Sequence, residues 1–165
     1  MIVERRVELR FCQESRDAQT HVNLSAVRQD GRCLWVAGDE TATIERLTAV
    51  TGEDGRVTGY DGQATIALAD LVPLPAGADE EADIEGLARA DGWLWAIGSH
   101  SLKRKKIKPG NGDAKARKRL ATVVREDNRF ILARIPLVTG DDGLPSAARR
   151  GVRRGGTRRR RRTPP

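Results

Sequence analysis

The apolar and polar positions of the first 145 residues read as a series of short strands bounded by turn residues, with period-two alternation where one face is buried. Val7 to Cys12 alternates and predicts an N-terminal strand. Leu24 to Gln29 is a short run that ends at Asp30-Gly31, a hairpin signal. Cys33 to Ala37 is almost wholly apolar and stops at Gly38, and Thr43 to Val50 is β-branched. A turn at Thr51 to Gly55 precedes a strand centred on Ala64 to Leu68, and Pro73 and Pro75 open a linker. The pattern then recurs: Asp83 to Ala88 leads to Asp91-Gly92 and Trp93 to Gly98. Leu120 to Arg125 and Phe130 to Ile135 predict two more strands around a turn at Asp127-Asn128, with Pro136 and Pro145 closing the regular region.

The pattern repeats. Leu34-Trp35-Val36-Ala37-Gly38 aligns with Leu94-Trp95-Ala96-Ile97-Gly98 at an offset of 60, and the same offset lays Asn23 to Val27 over Asp83 to Leu87. Each unit reads as strand, Asp-Gly turn, tryptophan-bearing strand, glycine and two further strands. A four-stranded antiparallel sheet repeated along the chain is the logic of a β-propeller blade. The expected fold is therefore all-β, with antiparallel four-stranded sheets repeated as propeller-like blades. Residues 1–75 form the first unit with its N-terminal strand. Residues 76–145 form the second, with a basic insert at 103–119. Residues 146–165 form a disordered Arg-rich tail. A closed propeller takes about 4–8 blades, and 165 residues supply roughly two. An incomplete propeller is expected, with open sheet edges available for self-association. Trp35, Trp93 and Trp95 are expected in the core, and Gly38 and Gly98 at a bend or bulge.

Charge changes this picture at two places. The net charge is +7, yet the insert holds nine basic residues and one acid, Asp113, and the tail holds nine Arg and no acid. The rest carries 12 basic and 22 acidic residues. A tail rich in Arg and devoid of Lys is what GC-rich DNA yields when read out of frame, so a frameshift after about Leu144 is expected. No segment has the apolar length of a membrane span, and the N-terminus has no apolar leader core. With Cys12 and Cys33 as the only cysteines, the expectation is a cytoplasmic protein with reduced thiols.

The segment from Glu81 to Lys106, with Asp83-Ile84-Glu85-Gly86-Leu87-Ala88 and Trp93 to His100 at its centre, resembles a bacterial family of unknown function, domain of unknown function 3616. Asn23 to Glu40 and Arg129 to Leu137 fit the same family. The resemblance implies a propeller-like relative of longer proteins, without an activity to carry over. The phrase at Asp83 to Ala88 is also similar to one in propellers of the esterase-like phytase kind.

Three functions follow as expectations. The first is a binding or interaction scaffold of unknown ligand. The second is a metal-assisted hydrolase of phosphoesters or other esters at the strand ends. There Asp83, Glu85, Asp39 and Glu40 would hold a divalent cation such as Ca²⁺ through oxygen ligands. His100 and Glu85 would act as acid or base. Ser99-His100 is no triad, because neighbours on a strand face opposite sides. The third is an anion clamp in the insert: Lys103, Arg104, Lys105 and Lys106 suit a phosphate-bearing small molecule. Nucleic acid is a less favoured partner because the insert has no aromatic to stack on a base. No Walker loop, GxSxG elbow, HExxH or dinucleotide fingerprint occurs.

Overall fold

A computed structural model of the chain describes residue 4 and residues 6–148. Residues 149–165, most of the Arg-rich tail and of the stretch expected to follow a frameshift after about Leu144, lie outside the described residues.

The described chain is mostly strand. β2 (Leu24–Asp30), β3 (Cys33–Gly38), β4 (Thr43–Thr51) and β5 (Val57–Ala67) form an antiparallel meander, which a two-residue β1 (Glu8–Leu9) joins in parallel at the β5 edge. β6 (Ile84–Ala90), β7 (Trp93–Gly98), β10 (Leu132–Thr139) and β11 (Pro145–Ala147) form a second antiparallel sheet in the order β11-β10-β7-β6. A separate ribbon pairs β8 (Lys103–Arg104) with β9 (Val123–Val124).

The two sheets pack face to face. Cys33, Trp35, Ala37 and Ile44 of the first meet Ile84, Leu94, Ala96, Ala133 and Ile135 of the second in one core. Ser25 Oγ donates to the Ile84 carbonyl at 2.5 Å and Arg46 Nη1 to the Pro145 carbonyl at 2.7 Å. An Asp30–Arg89 ion pair at 2.9 Å adds a third link. The outer face of the first sheet carries Leu34, Val36, Leu47 and Tyr60, and the N-terminal segment covers it with Leu9 and Phe11. β3 is therefore buried on both faces, which explains its unbroken apolar run.

Several sequence expectations need correction. Only Glu8–Leu9 of the N-terminal segment pairs as a strand; α1 (Gln13–Asp17) follows at once. Gly59 permits that pairing, since a Cβ there would lie 2.9 Å from the Glu8 carbonyl oxygen. Residues 120–125 are mostly not strand. α2 (Asp113–Ala121) takes the first two of them, with Asp113 in its first turn and Lys118 and Arg119 in its last, matching the helix dipole. Asp127–Phe130 is a 3-10 helix rather than a simple turn. Pro136 lies within β10, opposite Trp93 where the β7 ladder ends, and Pro145 begins β11, so the regular region reaches Ala147. Gly38 and Gly98 do stand at bulges, opposite the register shifts at Leu24/Ala26 and Ile84/Gly86, and they also serve close approach: a Cβ at 38 would lie 3.1 Å from the Asn23 carbonyl oxygen, and one at 98 would collide with that of Arg129.

Candidate functional site

Asp83, Glu85 and His100 lie where β6 begins and β7 ends in the second sheet, whereas Asp39 and Glu40 follow β3 of the first. Asp83 precedes β6 in a left-handed conformation, φ 48°, and is buried, where it pairs with the Arg129 guanidinium. The same guanidinium reaches Ser101, with Nε donating to its carbonyl at 3.2 Å and Nη2 to its hydroxyl at 3.1 Å. Arg129 is itself placed by the 3-10 helix Asp127–Phe130, and its carbonyl accepts from the His100 N–H at 2.9 Å. His100 is exposed, with φ 51°. Its Nε2 lies 3.2 Å from the Ile131 carbonyl and its ring stands edge-on to Phe130. Glu85 is exposed, at the register irregularity between Ile84 and Gly86. Asp39 is half-buried and Glu40 exposed.

These carboxylates do not gather as a cation site would require. Among the described residues, no group of three or more His, Cys, Asp or Glu side chains is placed to share a metal ion. The physical reason is plain at Asp83: the turn before β6 sends its carboxylate inward to the largely buried Arg129 guanidinium. Asp83 is therefore held by charge pairing rather than presented to solvent.

The basic insert is a folded arm. β8, β9 and α2 build it, and a groove of about 410 Å³ opens beside it, lined by Glu40, Glu81, Lys103 to Lys106, Arg119 and Glu126. Lys103 is bound inside it: Nζ meets Glu81 Oε2 at 2.8 Å and Glu126 Oε1 at 3.2 Å. Those contacts, the Glu81 hydrogen bond foremost, raise the Lys103 ammonium above its ordinary value against the opposing pull of partial burial. Arg104 Nη1 donates to the Leu120 carbonyl at 2.9 Å, and Arg119 Nε to that of Lys106 at 2.6 Å. Each guanidinium spends one donor on main chain and keeps others for a partner. Lys105, Lys106, Lys115, Arg117 and Lys118 are exposed. Of the four residues expected to form an anion clamp, Lys103 is thus a structural cation, while Arg104, Lys105 and Lys106 are available.

Sequence reasoning missed three residues at this end: Arg129, Glu126 and Asn128. Asn128 is fully buried. Its Oδ1 accepts from the Ala76 N–H at 2.8 Å, and Nδ2 donates to the Gly77 and Glu80 carbonyls at 2.9 and 3.0 Å. A polar triplet in an apparent turn carried no periodic signal that could have marked it.

Residues 23–161 match the family described as "Protein of unknown function (DUF3616)". The chain belongs to that family. Among curated proteins and solved structures, nothing matches it. The family match spans the second sheet, the first sheet apart from β1, and the basic arm that separates β7 from β10. No helix among the described residues is long and apolar enough to cross a membrane.

Proposed function

We propose that this member of the family is a binding scaffold of the propeller type, its two sheets being successive blades. One observation carries the reading: the sheets have the same register at positions sixty apart. Leu24 opposes Gly38 and Ile84 opposes Gly98, and a register shift follows each pair, at Leu24/Ala26 and Ile84/Gly86. Trp35 opposes Arg46, and Trp95 opposes Arg134. A hairpin bulge conserved between two sheets of one chain is a specific feature rather than a propensity effect. The first strands, β2 and β6, lie together, as the innermost strands of neighbouring blades around one axis would.

A scaffold has no turnover of its own. Purified protein is expected to leave generic phosphoester and ester substrates intact with Ca²⁺, Mg²⁺ or Mn²⁺ present. Metal-dependent turnover that Glu85→Ala abolishes would overturn the scaffold reading in favour of a hydrolase. The hydrolase reading has less support, because its central carboxylate, Asp83, is engaged by Arg129.

A second reading is anion binding through the arm. It is favoured by the juxtaposition of Arg104, Lys105 and Lys106 with Arg119 along one groove. Such a site suits phosphate-bearing ligands, since guanidinium forks and ammonium groups match phosphate oxygens.

A further inference from the structure

The two sheets do not use their faces alike. On the first, Cys33, Trp35 and Ala37 point into the core and are at most 1% exposed. The second sheet covers them with the opposite kind of face, built from Ile84, Leu94, Ala96 and Ile135. Alternation along β7 then sends Trp93, Trp95 and Ile97 to its other side. These are the positions sixty residues after Cys33, Trp35 and Ala37. Here they are left open: Ile97 is 41% exposed, its cross-strand neighbour Leu132 is 63% exposed, and both tryptophans are only half-buried.

An arginine marks the same difference. Arg46, opposite Trp35, reaches across to the Pro145 carbonyl on β11, the outermost strand of the covering sheet. Arg134, opposite Trp95, occupies the corresponding place. It lies folded over the Trp93 and Trp95 rings, 4.1 and 5.7 Å from their centroids. A cation laid on exposed indoles shields part of an apolar face from water.

We propose that the Trp93/Trp95 face of the second sheet is a docking face for a further antiparallel β-sheet. That sheet presents an aliphatic face to the tryptophans and a main-chain carbonyl on its outermost strand to Arg134. The proposal rests on the reading of the two sheets as equivalent units, and its model is the sheet-to-sheet interface already present in the chain. A second copy is the poorer occupant: among the described residues, its aliphatic faces are already covered, Leu34, Val36 and Leu47 by Leu9 and Phe11, and Leu94, Ala96 and Ile135 by the first sheet.

The test supplies such a sheet. Residues 68–148 are repeated directly after residue 148 of the chain, with Trp93→Phe and Trp95→Phe in the added unit only, so that the original three tryptophans report. Docking is expected to cut acrylamide quenching of tryptophan fluorescence by about half, since apolar area leaves water, and to shift the emission to the blue. The protection is expected to vanish when Leu94→Asp and Ala96→Asp spoil the aliphatic face of the added unit, and to weaken with Arg134→Ala in the original. Equal quenching in the intact and spoiled tandems overturns the proposal. So does concentration-dependent self-association of the unmodified chain that Trp95→Asp abolishes, because the occupant is then a second copy. Should the tandem not fold, the hydrophobic dye ANS on the unmodified chain decides: its fluorescence is expected to fall with Trp93→Ser plus Trp95→Ser, and no change overturns the proposal. A crystal structure of the tandem tells the docking face apart from the equivalence of the two sheets. Sheets that superpose strand on strand with no docking overturn the docking face alone, whereas sheets that do not superpose overturn the blade reading beneath it.

Discussion

Asp83 and Arg129 form the buried ion pair that ties the start of β6 to the 3-10 helix before β10. Removing one charge from such a pair strands the other in a medium that solvates it poorly. Asp83→Asn is expected to cost about 3 kcal/mol, read as a lower urea midpoint with an unchanged slope. Asn tolerates the left-handed conformation of this position, so the loss isolates the charge. The cysteines give a second expectation. Cys12 is exposed and Cys33 buried. Burial, the leading cause, pushes the Cys33 thiol up from its ordinary value. Cys12 is expected to react with a thiol reagent at once and Cys33 only on unfolding, seen as two kinetic phases. The linkage has a definite sign. The stability Cys33 contributes by staying protonated is present below the ordinary thiol value and is lost as pH climbs through the raised one.

The elements differ in how far their residues announce them. The hairpins β2–β3 and β6–β7 were legible because alternation and Asp-Gly turns are local signals. α2 was not, because its nine residues bury none of their side chains and so show no apolar stripe; alanine, lysine, arginine and leucine favour helix there by propensity alone. β11 was hidden by Pro145, which begins the strand at a sheet edge, where a missing N–H is tolerated. The linker between the sheets has its own fastening, the three hydrogen bonds of Asn128. Asn128→Ala leaves the Gly77 and Glu80 carbonyls and the Ala76 N–H without that partner. It is expected to destabilise the chain by about 2 kcal/mol and to speed proteolysis within residues 73–82, measured by limited digestion.

At the scale of the molecule, charge is segregated. The basic arm stands beside a body in which acids outnumber bases, and Glu40, Glu81 and Glu126 line one groove with the arm. Those acids restrain the field at Lys103, so a bound polyanion would draw mainly on Arg104, Lys105, Lys106 and the exposed face of α2. Binding to polyphosphate or heparin is expected to weaken steeply as salt rises, through counterion release. Replacing Arg104, Lys105 and Lys106 by Gln should flatten that dependence; titrations at several salt concentrations would show an unchanged slope if the arm takes no part. The candidate site was only partly legible for a related reason. Residue type marked Asp83, His100 and the lysines as chemically capable, but their actual partners, Arg129 and Glu126, come from a segment more than 20 residues beyond them in most cases.

Local order in this protein was settled by the chain's own alternation, turn residues and sixty-residue echo, because strands and hairpins depend on neighbours a few positions apart. Which side of each sheet is buried was decided only by tertiary packing. Trp35 and Trp95 occupy equivalent positions, yet one is sealed by a facing sheet and the other is left partly in water. Burial depends on what lies across a face, and no pattern along a single strand records that.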